Sequence, residues 1–369
     1  MITREVKLKL TKKQENQLIK WIPILTSIYN WGIRKIELNA KNGIYFSRFD
    51  FTNLLAYHGK KLDIPSHTIE GILNQAYTSW KRCFKKISKQ PRLKSIRNKL
   101  NSIPFPDSIP YSRITDKTIR IPGIGKIRYH KQEIPQGEVK CGRILKKASG
   151  WYLQLTLDII NKFPVNSTTE KVGIDTGFKY LAVLSNGIKI ENERNYIKGQ
   201  KRLAQAQRGK RKKLVARLNE RIKNRRKDYN HKVSRKIVED YSEIYITNDN
   251  LRNQTSIFGK SIQDAGISQL RSFIIYKGDN HNRIVKLVDS KNTTMTCSNC
   301  GSLTGPKGLS GLAVRDWECD ACGAVHDRDI NSAMNILNLG LGYSLNNPKT
   351  HALEIRPEKF GQESLGDTL

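Results

Sequence analysis

The chain has 369 residues, with 66 Lys+Arg against 33 Asp+Glu and a formal net charge of +33. It is too long for one ordinary compact domain, and a surplus this large repels itself unless it faces a polyanion, so nucleic acid is the expected partner and a membrane surface the alternative. No stretch approaches the roughly 18 apolar residues of a membrane span, and the opening "MITREVKLKL" lacks the apolar core of a signal peptide, so a soluble intracellular protein is expected.

Val6, Leu8 and Leu10 alternate with charged residues, the pattern of a strand with one wet face. Thr11 and Gln14 then form a capping-box pair that opens a helix carrying Leu18, Ile22, Leu25, Ile28, Tyr29 and Trp31, with a kink expected at Pro23. A second helical unit from Pro65-Ser66 places Ile69, Leu73, Ala76, Tyr77, Trp80 and Phe84 on one face, beside Lys81, Arg82, Lys85 and Lys86. Helical spacing makes these aromatics core residues rather than base-stacking platforms. From Pro104 to Ile159 the texture changes to short alternating strands broken by Pro and Gly, which suggests a small β-barrel or sheet. The opening strand can pair with it, making the helices an insertion. The polar "NKFPVNSTTEK" marks a domain boundary.

"KVGIDTGFKYLAVLSNGIKI" reads as a hairpin, two apolar runs joined by a glycine-bearing turn. The helix-permissive, strongly basic stretch from Lys198 to Tyr241 follows. So basic a helix is unfavourable without an anionic partner, so Arg208, Lys210, Arg211, Lys212, Lys213, Arg217, Arg225 and Arg226 are expected to meet nucleic acid rather than only water. After it come the strand "EIYIT", a helix near 261–276, the strand "RIVKLVDS", the cysteine segment, and a closing helix from about Asp329.

Six cysteines do not make a disulfide framework in a chain this long. Cys297 and Cys300 form one CxxC pair and Cys319 and Cys322 another, with 18 residues between the pairs, the spacing of a four-cysteine zinc ribbon. A glycine after each pair lets the backbone turn its N–H groups toward the sulfurs. Four thiolates leave no open position, so this Zn2+ is structural. Cys83 and Cys141 read as packing residues. Asp175 in "GIDTG" stands where a strand ends, able to ligate a hard cation such as Mg2+ or simply to build a turn. Asp329 in "HDRDINSAMNIL" opens the closing helix as ligand or cap, and Asp327 could cap it equally well.

These segments in this order resemble the TnpB family, the OrfB-type proteins of insertion sequences. The resemblance rests most specifically on "GIDTG", "HKVSRKIVEDYSEIYI", "KSIQDAGISQLRSFIIYK" and the run from "TTMTCSNCG" through "CDACGAVHDRDINSAMNIL"; looser matches are "YNWGIRK", "AYTSWKRCFKK", "PRLK" and "IRIPGIGKI". It implies an RNA-guided DNA endonuclease encoded by a transposable element, a compact relative of type V CRISPR effectors. The implied architecture is multidomain α/β plus β-barrel. Residues 1–10 and 100–165 would be a wedge β-barrel and 11–99 a helical, helix-turn-helix-like recognition insertion. Residues 166–340 would be an RNase H-like RuvC nuclease domain with a zinc-ribbon insertion at 291–326, and 341–369 a disordered tail. The implied partners are a guide RNA from the element's flank and a double-stranded DNA target, with no membrane, in the cytoplasm at the nucleoid.

In the family, carboxylates hold two Mg2+ ions for in-line phosphodiester hydrolysis. Asp175 matches the first carboxylate and Asp329 the last. The middle one is usually a glutamate at the tip of the strand matching "EIYIT". Ungapped, that position falls on Thr247 or Asn248; matching the Asn-Leu pair moves it to Asp249. A second location, the strand before the cysteines, offers Asp289. No glutamate occurs between Glu243 and Glu318. Asp249, ahead of Asp289, is the expected third ligand. The alternatives are a guide-dependent DNA-binding protein or repressor that no longer cuts, and a basic zinc protein that binds nucleic acid without a guide.

Overall fold

The computed structural model describes residues 1–55, 58–95, 98–106, 109–159, 168–248, 259, 264–307, 311 and 313–348. The chain divides into two compact units, Met1–Asn161 and Lys162–Leu369.

In the first unit, strand β1 (Ile2–Lys9) leads into helix α1 (Lys12–Lys41), followed by α2 (Arg48–Asn53), α3 (Gly59–Leu62) and α4 (Ser66–Phe84). Strands β2 (Ser102–Pro106), β3 (Thr118–Ile121), β4 (Gly125–Tyr129), β5 (Gly137–Lys147) and β6 (Gly150–Ile159) complete it. The six strands form one sheet in the order β2-β5-β6-β1-β4-β3. β1 turns the sheet: Ile2–Lys7 pair with β6, whereas Leu8 and Lys9 pair with β4. The helices are thus an insertion between a first strand and its partners. Among the described residues the sheet is curled rather than a closed barrel, with β2 and β3 as its two edges.

The Thr11–Gln14 capping box forms, with both reciprocal bonds in place. α1 then runs unbroken through Pro23, which lies on the exposed face, where solvent can take the carbonyl its missing N–H leaves. Leu18, Trp21, Leu25 and Ile33 are buried, and Trp80 of α4 donates its indole N–H to the Ile33 carbonyl at 3.0 Å. Fully burying such side chains stabilises by about 1.5–3 kcal/mol each. Trp31 stays 38% exposed, because six residues beyond Leu25 is about 600° of rotation, which leaves it about 120° around the helix from Leu25 and outside the buried stripe. Phe84 is also exposed, at the last residue of α4.

The second unit is built on β7 (Lys171–Thr176), β8 (Tyr180–Leu184), β9 (Lys189–Glu191), β10 (Glu243–Thr247) and β11 (Ile284–Val288), in the order β11-β10-β7-β8-β9. β7, β10 and β11 are mutually parallel; β8 and β9 return antiparallel as hairpins. The basic stretch is two helices, α5 (Asn195–Arg208) and α6 (Lys212–Asp240), not one. Gly209 and Lys210 break it, Lys210 adopting φ 52° while the amides of 209–211 close onto the carbonyls of 205–207. α7 (Ile267–Asn280) and α8 (Arg328–Gly340) complete the unit. The 341–369 segment does not run free from its start. Residues 341–348 close in hydrogen-bonded turns, with the Leu345 and Asn346 backbone against Gly301; 349–369 lie outside the described residues.

Candidate active site and metal centre

Parallel pairing brings the ends of three strands to one sheet edge. Asp175 is the penultimate residue of β7, opposite Val183 of β8. Beside it, Thr247 ends β10 in register with Val288, the last residue of β11, and the Asn248 amide donates to the Val288 carbonyl at 2.8 Å. Thr247 is fully buried, and its hydroxyl lies 2.9 Å from that of Thr176. The strand tip facing Asp175 therefore ends in a neutral hydroxyl pair. Asn248 is exposed, and Asp249 lies outside the described residues. Asp289 is exposed just past β11, and its Oδ1 accepts the Lys291 amide at 3.1 Å.

α8 reaches this edge because Gly173 of β7 carries no side chain. A Cβ there would lie 2.1 Å from the Ala333 carbonyl oxygen and 2.6 Å from the Leu337 nitrogen, so the first glycine of "GIDTG" lets helix backbone press on strand backbone. Asp327, not Asp329, caps α8: its Oδ1 accepts the amides of Asp329 and Ile330, each at 3.0 Å, and Oδ2 meets Lys189 Nζ at 2.6 Å. Burial pushes the Asp327 carboxyl up, but Lys189 and the two amides outweigh it and hold it below its ordinary value. Freed from capping, Asp329 is gripped by two arginines. Arg328 Nε and Nη2 donate to Oδ1 at 3.3 and 3.1 Å, and Arg315 Nη1 spans Oδ1 and Oδ2 at 3.3 and 3.1 Å.

The four paired cysteines converge: their sulfurs all lie within 4.8 Å of one another, the one such group of metal-ligating residues among the described residues. Cys297–Cys322 and Cys300–Cys319 sulfur separations are 3.7 and 3.6 Å. A tetrahedron with Zn–S of about 2.3 Å has edges of about 3.8 Å, so the group fits zinc. Gly301 and Gly323 turn each knuckle at φ 80° and 70°. Burial pushes the Cys297 thiol up to about 12. Burial also raises Cys319, but the Thr304 hydroxyl and the amides of Ala321 and Cys322 outweigh it and bring it down to about 6. Two short strands, β12 (Asp316–Glu318) and β13 (Val325–Asp327), carry the second knuckle. On β13, His326 Nε2 lies 3.0 Å from Cys297 Sγ, its ring tilted against Trp317 with centroids 4.8 Å apart. Cys83 and Cys141 are half-buried elsewhere.

Sequence reasoning missed Arg315 and the buried amides of α8. Asn331 Oδ1 accepts the Ser298 amide at 2.8 Å, and Asn335 Nδ2 donates to the Thr293 and Thr296 carbonyls at 2.8 and 2.7 Å. Their signal was asparagines at 331, 335 and 338, the i, i+4, i+7 spacing that places all three on one helix face.

Arg208, Lys210, Arg211, Lys212, Lys213, Arg217 and Arg225 are exposed at the α5–α6 junction and along the first half of α6; Arg226 is half-buried, with its stem against Gly266. Buried apolar residues enter α6 only from Val233; in its first half Leu214, Val215, Leu218 and Ile222 are half-buried, with Ile222 against Gly199 of α5. No helix among the described residues is long and apolar enough to cross a membrane.

Comparison with known proteins fits this arrangement. The family described as "Probable transposase" (OrfB of IS605) matches residues 154–257, and the "Cas12f1-like, TNB domain" family matches 268–336. A protein of Streptomyces pristinaespiralis, provisionally named an RNA-guided DNA endonuclease, is 32% identical over 300 residues, covering 76% of this chain and 73% of its own length. InsQ of Escherichia coli K12, provisionally named likewise, is 27% identical over 307 residues, 75% of each chain. The CRISPR-associated endodeoxyribonuclease Cas12f1 of Sulfoacidibacillus thermotolerans is 26% identical over 265 residues, 64% of this chain and 62% of its own. Identity of this extent, together with the transposase and TNB-domain matches, shows that the chain belongs to the TnpB family of OrfB-type transposon proteins.

Proposed function

We propose that this protein is a transposon-associated, RNA-guided DNA endonuclease with a RuvC-type site for two-metal phosphodiester hydrolysis. The observation that carries the reading is the seating of α8 on β7 at Gly173, which assigns Asp175 and Asp329 to one adjoining strand and helix. Their carboxylate oxygens suit a hard cation, and Asp249, ahead of Asp289, is the third ligand. When bound there, Mg2+ would lower the cost of water attack and neutralise charge on the departing oxygen. The chain's own groups do the rest. Arg328 and Arg315 fix the orientation of the Asp329 carboxylate, and the basic α5–α6 surface holds phosphates of guide and target. On this reading 1–10 with 100–165 is the wedge, 11–99 the recognition insertion, 166–340 the nuclease domain and 291–326 its zinc ribbon, whose cysteines hold structural Zn2+.

The buried Thr176–Thr247 pair favours one competing reading, a guided DNA-binding protein or repressor that no longer cuts. A neutral tip removes a ligand while leaving the basic surfaces intact. The chain purified with its element's flanking RNA, incubated with matched duplex DNA and Mg2+, should cut it, and Asp175→Ala or Asp329→Ala should abolish cutting without loss of guided binding. Tight guided binding with no nick in Mg2+ or Mn2+ would establish the competing reading. Asp249→Ala and Asp289→Ala identify the third carboxylate.

A further inference from the structure

We propose that the zinc hairpin is the positioning frame of Asp329, with Arg315 as its point of contact and zinc as the closure that keeps the frame rigid. The inference rests on the reading of Asp329 as a metal-binding carboxylate, but its test does not require cleavage.

The two cysteine knuckles are fastened to α8 by different means. The first, Cys297 and Cys300, follows a segment bolted to the side of the helix. Asn331 holds the Ser298 amide and the Thr296 carbonyl, Asn335 holds the Thr293 and Thr296 carbonyls, and the Thr293 and Ser332 hydroxyls meet at 3.1 Å. All six of these polar residues are buried, so these bonds lie out of reach of water. The second knuckle, Cys319 and Cys322, lies at one end of the β12–β13 hairpin, and the other end of that hairpin meets the first turn of α8. Arg315, the residue before β12, accepts the Arg328 amide on its carbonyl at 2.7 Å and places its guanidinium on Asp329. Asp327, the last residue of β13, caps the amides of Asp329 and Ile330.

Constraint therefore runs in a ring: from the side of α8 to the first knuckle, through the metal to the second knuckle, along the hairpin, and back to the helix start. The hairpin is its weak segment. It has only three residue pairs, Asp316–Asp327, Trp317–His326 and Glu318–Val325, and an isolated two-stranded ribbon is marginal in water. At the helix end it is also held by the Lys189–Asp327 ion pair, and its remaining supports are at the metal end: the Thr304 hydroxyl on Cys319, and His326 against Cys297 with its ring on Trp317. Because binding free energy at a structural zinc site is folding free energy, zinc released from the sulfurs opens the ring at its strongest link. Arg315 and Asp327 then lose the strand geometry that aims them. Arg315 is a positioning residue, since it acts through Asp329.

The test is amide hydrogen exchange of the full chain, read on peptides spanning the first turn of α8. Chelation of zinc, or Cys300→Ser with Cys322→Ser, should speed exchange of the Asp329 and Ile330 amides at least tenfold while peptides of the β1–β6 sheet stay unchanged. Arg315→Met should keep one zinc per chain yet lose several-fold protection at those two amides, and Arg315→Lys, which retains a donor, should recover part of it. Zinc release that leaves both amides within twofold of their loaded rate overturns the proposal. So does Arg315→Met with unaltered protection. A nuclease-inactive protein can still pass this test, so its failure is distinct from failure of the functional reading.

Discussion

The hydroxyls of Thr176 and Thr247 meet at 2.9 Å, tying the end of β7 to the end of β10 beside Asp175. The last residue of β10 and the one after it differ sharply in what they tolerate: Thr247 is fully buried and Asn248 exposed. Thr247→Glu would bury an unpaired carboxylate and orphan the Thr176 hydroxyl, at a cost of at least about 2 kcal/mol. Asn248→Glu should change stability by no more than about 0.5 kcal/mol. Glutamate reaches one methylene further than the aspartate of position 249, and about 1 Å of misplacement can cost a hundredfold in rate. Asn248→Glu should therefore raise Mg2+-dependent cleavage at least tenfold over the parent, while Thr247→Glu lowers the melting temperature. Guided cleavage rates and thermal melts check both.

Gly173 is the contact through which α8 is laid on the central strand. Both atoms nearest its missing Cβ, the Ala333 carbonyl and the Leu337 nitrogen, belong to helix backbone, which cannot rotate aside. Gly173→Ala should force α8 away from β7 and cost about 1–3 kcal/mol. Because α8 carries Asp329, the variant should lose cleavage by more than its stability loss explains. Activity measured well below the melting temperature separates the two effects.

What the sequence disclosed and what it withheld divide by the range of the interaction. The capping box of Thr11 and Gln14 and the convergence of four cysteines depend on spacing within a few residues or on a strong ligand preference, so both are legible. So is the hairpin after "GIDTG", where two apolar runs flank a turn. The break between α5 and α6 was missed because the left-handed turn falls on Lys210, at φ 52°, a residue that ordinarily continues a helix, and only Gly209 before it carries a local stop signal. Arg315 on Asp329 depends on how a three-pair hairpin docks against a helix start, which no local periodicity records. At the start of the closing helix the sequence left Asp327 and Asp329 as equal candidates for the cap. The structure gives the cap to Asp327, two residues earlier.

The basic α5–α6 region tests as charge rather than as shape. Lys212, Lys213 and Arg217 are exposed, on a half-helix with no buried apolar residue of its own. Replacing all three by glutamine should leave the melting temperature within a few degrees. Affinity for nucleic acid should fall, and the slope of log K against log salt should shrink by about 0.7–0.9 for each phosphate that is no longer neutralised. Binding titrations between low and moderate salt measure that slope; an unchanged slope means that other residues neutralise the phosphates.

Lys277 supplies a pH dependence whose sign can be worked out. Its Nζ donates to the His231 carbonyl at 2.5 Å and to the Ser234 hydroxyl at 2.8 Å, between α7 and α6. Burial, reinforced by nearby Arg235 and opposed by Glu239, pulls it from the ordinary 10.5 down to about 8. Between those values the unfolded chain binds the proton that the folded chain has released, so stability rises with pH across that window. Below about 8 both states are protonated, and the cost of the buried charge is constant. Lys277→Met removes the titration. The urea midpoint of the parent, taken relative to Lys277→Met so that the other lysines cancel, should climb between pH 8 and pH 10 and lie flat between pH 6 and pH 7.5. A difference that stays constant across the alkaline window would mean that water reaches the amine and holds it at its ordinary value.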